Sequence, residues 1–332
     1  MRIGIGVSED LTIAAQRELA REVEDAGFAS LWTNEARGRD SLLVCQAWAD
    51  ATEALEVGVG VVPLWTRSAA QLAMAAATLQ EASDGRFLLG LGVSHPGTMG
   101  PWHGADYRKP LTAARETLEV LRTLGEGEQA DVEGEVVRSR HFRLGITPTP
   151  ARTPVYLAAM GPRMLSLAGE RADGVLLNWS SPDEVRRAGD RVRGAARDAG
   201  RDEVEVPVAT YVRVAVDADR DAARRALAQE VGQYAALPAY ASHFERQGFG
   251  DAVGAVKAAY KEGGKDAVPD ALDDDVLASL GWYGTPDDDP ADALAAYDDA
   301  GLDHLVARVV VVGDDPRRTV RAVLTALHGA TA

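Results

Sequence analysis

The sequence predicts an α/β fold, a (β/α)8 TIM barrel with insertions, and three observations carry that expectation. Short apolar runs alternate with longer helical patterns from the first residue to the last, and about eight such strand–helix units can be counted. The apolar runs are continuous rather than alternating, as in parallel strands covered on both faces. A joint also recurs: Asp25-Ala26-Gly27-Phe28 closes a helix with glycine and opens a strand, and Asp299-Ala300-Gly301-Leu302 does so again near the other end. Eight units favour a closed barrel over an open doubly wound sheet. Residues 1–332 read as a single barrel domain, with insertion segments at about 126–145 and 237–290.

Arg2–Val7 is the first strand. Ala15, Leu19, Val23 and Ala26 then fall at helical spacing, and Gly27 supplies the stop. Ala29–Thr33 is the second strand, with a helix over Ser41–Thr52 after it. Leu55–Val62 is β-branched and apolar, and Ser68–Ala82 is rich in alanine, leucine and methionine, so strand and helix alternate again. Asp84-Gly85 turns the chain into strand Arg86–Leu91. A loop bearing His95, Pro96, Gly97, Gly100, Pro101 and Trp102 leads to a helix over 108–124 and a hairpin around Glu133-Gly134. The alternation resumes with strand Val155–Ala159, helix 162–171, strand Gly174–Asn178, helix 182–199, strand 204–216 and helix 218–235. Residues 237–290 read as irregular and helical, and their length predicts that they shape the substrate mouth. Helix 291–300, strand 303–312 and helix 316–328 close the chain.

Hydrophobic residues make up 46% and charged residues 26%, an ordinary globular balance that excludes disordered and fibrous classes. The formal charge of −16 repels phosphate backbones and anionic membranes, so neither nucleic acid nor membrane is an expected partner. A small anionic cofactor stays possible, because backbone N–H groups can hold phosphate within an acidic protein. The single cysteine, Cys45, sits in the apolar run 42–45 and reads as a buried, inert thiol. With no signal peptide and no apolar run approaching a membrane span, a cytoplasmic protein is expected.

Familiar motifs fail in turn. Gly4-Ile5-Gly6 and Gly90-Leu91-Gly92 both lack the third glycine of a dinucleotide fingerprint, and no P-loop is present. The six histidines show no metal-ligand spacing, and no Gly-x-Ser-x-Gly elbow exists, so neither a metal site nor a covalent triad is expected.

The strand ends say more, since barrel active sites lie at the C-terminal ends of the strands. They carry Asn34-Glu35, Pro63 through Arg67, Val93-Ser94-His95, Ala159-Met160-Gly161-Pro162 with Arg163 beyond, and Asn178-Trp179-Ser180. Glu35 and His95 are the candidate catalytic residues, either one a proton donor; Trp65, Trp102 and Trp179 are candidate substrate walls, and core packing would equally explain each. Gly161 precedes a helix with Pro162 at its first position, where free N–H groups suit an anion; tight packing would equally explain the glycine.

In order and spacing, five stretches resemble the bacterial luciferase-like superfamily: 27–35, 57–63, 84–92, 154–162 and 172–175. The pattern is similar to its coenzyme F420-dependent oxidoreductases, and the likeness spans nearly the whole chain, loosest over 217–290. That resemblance implies a TIM barrel, often a homodimer, that moves hydride between F420 and a small organic substrate. It also implies a non-prolyl cis peptide behind the cofactor ring at Gly60–Val61, next to Pro63. The implied cofactor-binding set is Asn34, Glu35, Gly60, Val61, Pro63, Val93, Ser94, Ala159, Met160, Gly161, Met164 and Asn178. One departure matters: sugar-phosphate dehydrogenases of this group follow the strand-2 acid with a catalytic histidine, and here Glu35 is followed by Ala36. Their chemistry does not carry over. An FMN-dependent monooxygenase and a non-catalytic flavin-binding barrel are the alternatives.

Overall fold

The computed structural model describes residues 1–8, 10–202 and 206–330. In chain order it begins with β1 (Arg2–Gly6), α1 (Ile13–Asp25), β2 (Ser30–Thr33), α2 (Ser41–Ala49), β3 (Glu56–Pro63), α3 (Ala69–Ala82) and β4 (Phe87–Gly92). Then come α4 (Pro96–His103), α5 (Pro110–Gly125), β5 (Ala130–Glu133), β6 (Arg138–Phe142), β7 (Val155–Ala158), α6 (Pro162–Arg171), β8 (Gly174–Asn178) and α7 (Pro182–Asp198). The chain ends with β9 (Val208–Val216), α8 (Arg220–Ala235), α9 (Pro238–Arg246), α10 (Gly250–Gly263), α11 (Asp274–Leu280), β10 (Gly281–Gly284), α12 (Ala291–Asp299), β11 (His304–Val309) and α13 (Pro316–Leu327).

The strands β1, β2, β3, β4, β7, β8, β9 and β11 pair in parallel in that order, and the ring closes from β11 back to β1. This is the predicted barrel. Its outer apolar layer lies between strands and helices, with Ile3, Ile5, Leu31, Val57, Val59, Phe87 and Leu89 against helical residues such as Leu19, Val44 and Leu72. A smaller inner layer of Trp32, Leu88, Tyr156, Leu176, Ala209, Tyr211 and Val306 fills the barrel. The period of two along each strand generates that layer. At its lower end Ser30 Oγ meets His304 Nε2 at 2.8 Å and accepts from Trp32 Nε1 at 2.8 Å, so His304 belongs to the packed barrel floor.

The predicted hairpin is β5 paired antiparallel with β6, and one carboxylate fastens it to α5. Glu116 accepts from the backbone N–H groups of Glu135, Val136 and Val137 at 2.8–2.9 Å. Burial alone would raise the Glu116 pKa, but these three donors outweigh it and hold the group below its ordinary value. Cys45 is buried as expected, and burial pushes its thiol pKa upward.

Three expectations change. The stretch after His95 is not a loop but α4, whose proline- and glycine-rich sequence is held by its ends: His95 caps the start and Gly104, at φ 65°, closes it. The segment 237–290 is helical as expected but also contributes a strand, β10, which pairs with Arg213–Val216 of β9 beyond the residues paired with β8. The strand expected from 204 begins at Val208, and residues 203–205 lie outside the described part of the chain. The Gly60–Val61 peptide is cis, in agreement with the family resemblance; Thr149–Pro150 is also cis, which was not foreseen.

Candidate active site

A cavity of about 440 Å³ opens at the C-terminal ends of the barrel strands. Its size falls in the range of small-molecule sites. Asn34 and Glu35 after β2, Gly60, Val61 and Pro63 of β3, Val93, Ser94 and His95 after β4, Ala159, Met160, Gly161 and Met164 around the start of α6, and Asn178 of β8 all line it. Residues from five separate stretches of sequence therefore meet at one mouth. A wider, shallower trough of about 1420 Å³ lies along α6 and α7, outside the barrel, and shares only Met160 with this cavity.

The β3 wall is tightly fitted. A Cβ on Gly60 would stand 2.4 Å from Tyr211 Oη and 2.6 Å from Leu176 Cδ2, so glycine is required by close approach. Between Val59 and Val62 the pairing of β3 with β4 shifts register. The following loop is braced from outside: Trp65 Nε1 donates to the Val93 carbonyl at 2.8 Å and packs on Tyr107. Ser94 is held in the left-handed region at φ 54°, as is Trp179 after β8, which is an uncommon conformation for non-glycine residues and one concentrated at ligand sites.

His95 Nδ1 accepts from Gly97 N–H at 3.0 Å. In the neutral ring this leaves the proton on Nε2, so the imidazole is set as a donor. Glu35 is differently placed from a free acid. Its Oε1 takes Arg67 Nη1 at 2.7 Å and Thr66 Oγ1 at 3.2 Å, and its Oε2 takes Ser41 Oγ at 2.8 Å. Arg67 also bridges to Asp40 at 2.6 Å. Burial acts to lower the Arg67 pKa, but Glu35 and Asp40 outweigh it and hold the guanidinium above its ordinary value.

Gly161 answers the question left open by the sequence. A Cβ there would meet nothing within 4 Å, and φ is −110°, so neither packing nor backbone conformation demands glycine. The position borders open cavity space. Met160 next to it gives its carbonyl to Arg246 Nη2 at 3.2 Å, so the inserted helix α9 reaches the β7–α6 turn. Ala239 and Tyr240 from the same helix line the cavity. Arg163 lies outside, in a shallow groove with Arg115 and Arg191.

The tryptophans do not stand at the cavity here. Trp102 is exposed on α4, Trp65 serves the loop, and Trp179 is buried beneath Arg213; none of the three lines the cavity. The aromatic lining is Tyr211, Tyr234 and Tyr240 instead. Tyr211 donates to the Thr33 carbonyl at 3.3 Å, and burial raises its pKa. Burial also pushes Tyr240 up to about 12, and its hydroxyl accepts from Asn178 Nδ2 at 3.1 Å. Arg213 and Arg308 are further lining residues that the sequence reading passed over. Each is a lone charge inside a continuous apolar strand, and that signal was available.

The luciferase-like monooxygenase profile matches residues 1–304. The chain belongs to the luciferase-like family. It is 30% identical over 329 residues to the 5,10-methylenetetrahydromethanopterin reductase of Archaeoglobus fulgidus, covering 97% of each chain. Among solved structures, the coenzyme F420-dependent tetrahydromethanopterin reductase of Methanopyrus kandleri superposes with a TM-score of 0.84 at 25% identity, covering 100% of both chains. An F420-dependent secondary alcohol dehydrogenase, solved with an F420–acetone adduct, has a TM-score of 0.77 at 20% identity, covers 99% of this chain and 97% of its own, and shares the fold.

Proposed function

We propose that this luciferase-like chain is an F420-dependent oxidoreductase, built on a single barrel domain, that moves hydride between the deazaflavin and a small organic substrate. The observation that carries the reading is the cavity itself: a fitted β3 wall, a braced β4 loop and an open glycine turn before α6 converge on one mouth. The end-to-end similarity to a methylenetetrahydromethanopterin reductase supports it, as does the likeness to an F420-dependent structure at 25% identity.

When bound, the deazaflavin supplies or accepts the hydride. Gly60, Val61, Pro63, Val93 and Ser94 would hold its ring; Ala159, Met160, Gly161 and Met164 its phosphate-bearing side; Asn34 and Asn178 complete the rim. His95 offers a proton from Nε2. Glu35 keeps a supporting part: with its oxygens engaged by Arg67, Thr66 and Ser41, it anchors the β2 and β3 loops and is not the proton donor. Direct titration with F420 and with FMN, followed by fluorescence quenching, tests the assignment. Saturable binding of F420 with at least tenfold preference over FMN is expected; the reverse preference favours a monooxygenase.

At the β7–α6 turn, Gly161→Asp places a carboxylate in the open space where an anionic cofactor group would sit. Like-charge repulsion and lost volume should weaken F420 at least tenfold with little change in thermal stability. Wild-type affinity in this variant removes the turn from the phosphate site.

Homodimerisation belongs to the same reading. Leu43 of α2 is 68% exposed and Met74 of α3, which packs beside α2, is 52% exposed, so each is a candidate anchor for an interface. Leu43→Glu should convert a dimer to a monomer in sedimentation velocity; an unchanged sedimentation coefficient relocates the interface. Among the described residues no helix is long and apolar enough to cross a membrane, and a buried lone cysteine fits the reducing cytoplasm.

A further inference from the structure

We infer that Arg213 and Arg308 form a paired receptor for a carboxylate, so that the substrate is a small organic acid. The two residues are direct register partners on β9 and β11, which places their side chains next to each other on the inner face of the barrel. Adjacent strands lie about 4.8 Å apart, close enough for two guanidiniums to share one planar anion. Both line the cavity.

What holds them is the informative part. Arg308 Nη2 donates to Asn34 Oδ1 at 2.8 Å, and Arg213 Nη1 donates to Asn178 Oδ1. Both acceptors are neutral amides, which fix a guanidinium's direction without cancelling its charge. Arg213 is only 3% exposed and lies 4.0 Å over the Trp179 ring and 5.2 Å from that of Tyr234. Its nearest carboxylate oxygen, on Glu230, stands 3.9 Å from Nε, and Nε has no hydrogen-bond partner. The carboxylate that lines the cavity, Glu35, is committed to Arg67. A buried cation without a hydrogen-bonded counter-charge is costly, and a ligand anion is the missing partner. In a chain of net charge −16, two guanidiniums with no hydrogen-bonded carboxylate, one of them only loosely paired with Glu230, form a local field of opposite sign at one mouth.

The strand order separates this receptor from the cofactor. In the ring of eight, β9 and β11 stand across from β3 and β4, the wall assigned to the deazaflavin ring, while the phosphate is assigned to the turn after β7. An acid bound by the arginines therefore faces the ring across the cavity. This placement rests on the F420 reading. The existence of an anion receptor does not.

The experiment is isothermal titration calorimetry of the F420-loaded protein and of the cofactor-free protein with acetate, crotonate, succinate and benzoate, each against its primary amide. At least one acid is expected to bind ten times or more tightly than its amide, with affinity falling as salt rises. Arg308→Gln should weaken that acid tenfold or more in the cofactor-free protein and leave the amide unchanged. Arg308→Lys, which keeps charge but loses the planar fork, should fall between, and it serves if the glutamine variant does not fold. If no acid outbinds its amide in either form of the protein, the receptor is refuted. If Arg308→Gln weakens F420 and the acid together, the anion is the cofactor's own and the substrate assignment is overturned. Failure of the wild-type protein to bind F420 strikes the cofactor reading alone, because the acid–amide comparison on cofactor-free protein still reads the receptor.

Discussion

Gly60→Leu should abolish F420 binding, with a loss of at least a hundredfold in affinity by fluorescence titration. The side chain has nowhere to go. Its first atom alone would lie 2.4 Å from Tyr211 Oη and 2.6 Å from Leu176 Cδ2, and both neighbours belong to the packed inner layer. Relief requires Tyr211 to leave the Thr33 carbonyl, or β3 to shift against β4, or the new side chain to turn into the cavity. The first disturbs the strand end that carries Asn34; the third fills ligand volume directly. Overpacking of this kind costs about 1–3 kcal/mol, so the variant should be less stable but still folded. Gly58→Ala is the useful comparison. Its Cβ would meet the Trp32 ring at 2.7 Å, within the packed layer and away from the cavity lining, so its cost should appear in stability and not in F420 affinity. Wild-type F420 binding by folded Gly60→Leu would show that the β3 wall is not where the cofactor lies.

How much of this was legible depends on what each residue had to satisfy locally. The eight barrel strands were readable because burial on both faces leaves an apolar run with little else to be, as in Val57–Val62 or Gly174–Leu177. The site residues were findable because barrel topology sends strand ends to one mouth wherever they fall in sequence. Helix α4 was not, since Pro96, Gly97, Gly100 and Pro101 all speak against a helix, and the contributions that override them are its two caps. Strand β10 is four residues long and exists only because β9 outruns β8, which is a tertiary fact. The tryptophans stayed ambiguous because an indole at a strand end suits core and cavity alike, and here Trp179 lies beneath a buried arginine. Arg213 and Arg308 were the avoidable omission. Counting by two from Ala209 and His304 puts both on the inner face, where an uncompensated charge needs a reason.

His95→Asn should lower kcat by about 10²- to 10⁴-fold, the usual span for losing a positioned proton donor, with the F420 Kd within twofold of wild type. Asparagine is chosen because His95 has two jobs. Its Nδ1 caps α4 by accepting from Gly97 N–H, and an alanine would remove that cap at a cost of about 1 kcal/mol. Asparagine keeps a cap acceptor and removes the imidazole, so helix and cavity mouth should persist while the Nε2 donor disappears. Ala36 follows Glu35 at the strand-2 position, and among the described lining residues His95 is the only histidine, so no other imidazole stands ready to substitute. The split between turnover and binding provides the readout that a structural role would not move: kcat should fall while the F420 Kd and the thermal stability stay near wild type. Turnover within threefold of wild type would take His95 out of the chemistry and leave it as a helix cap.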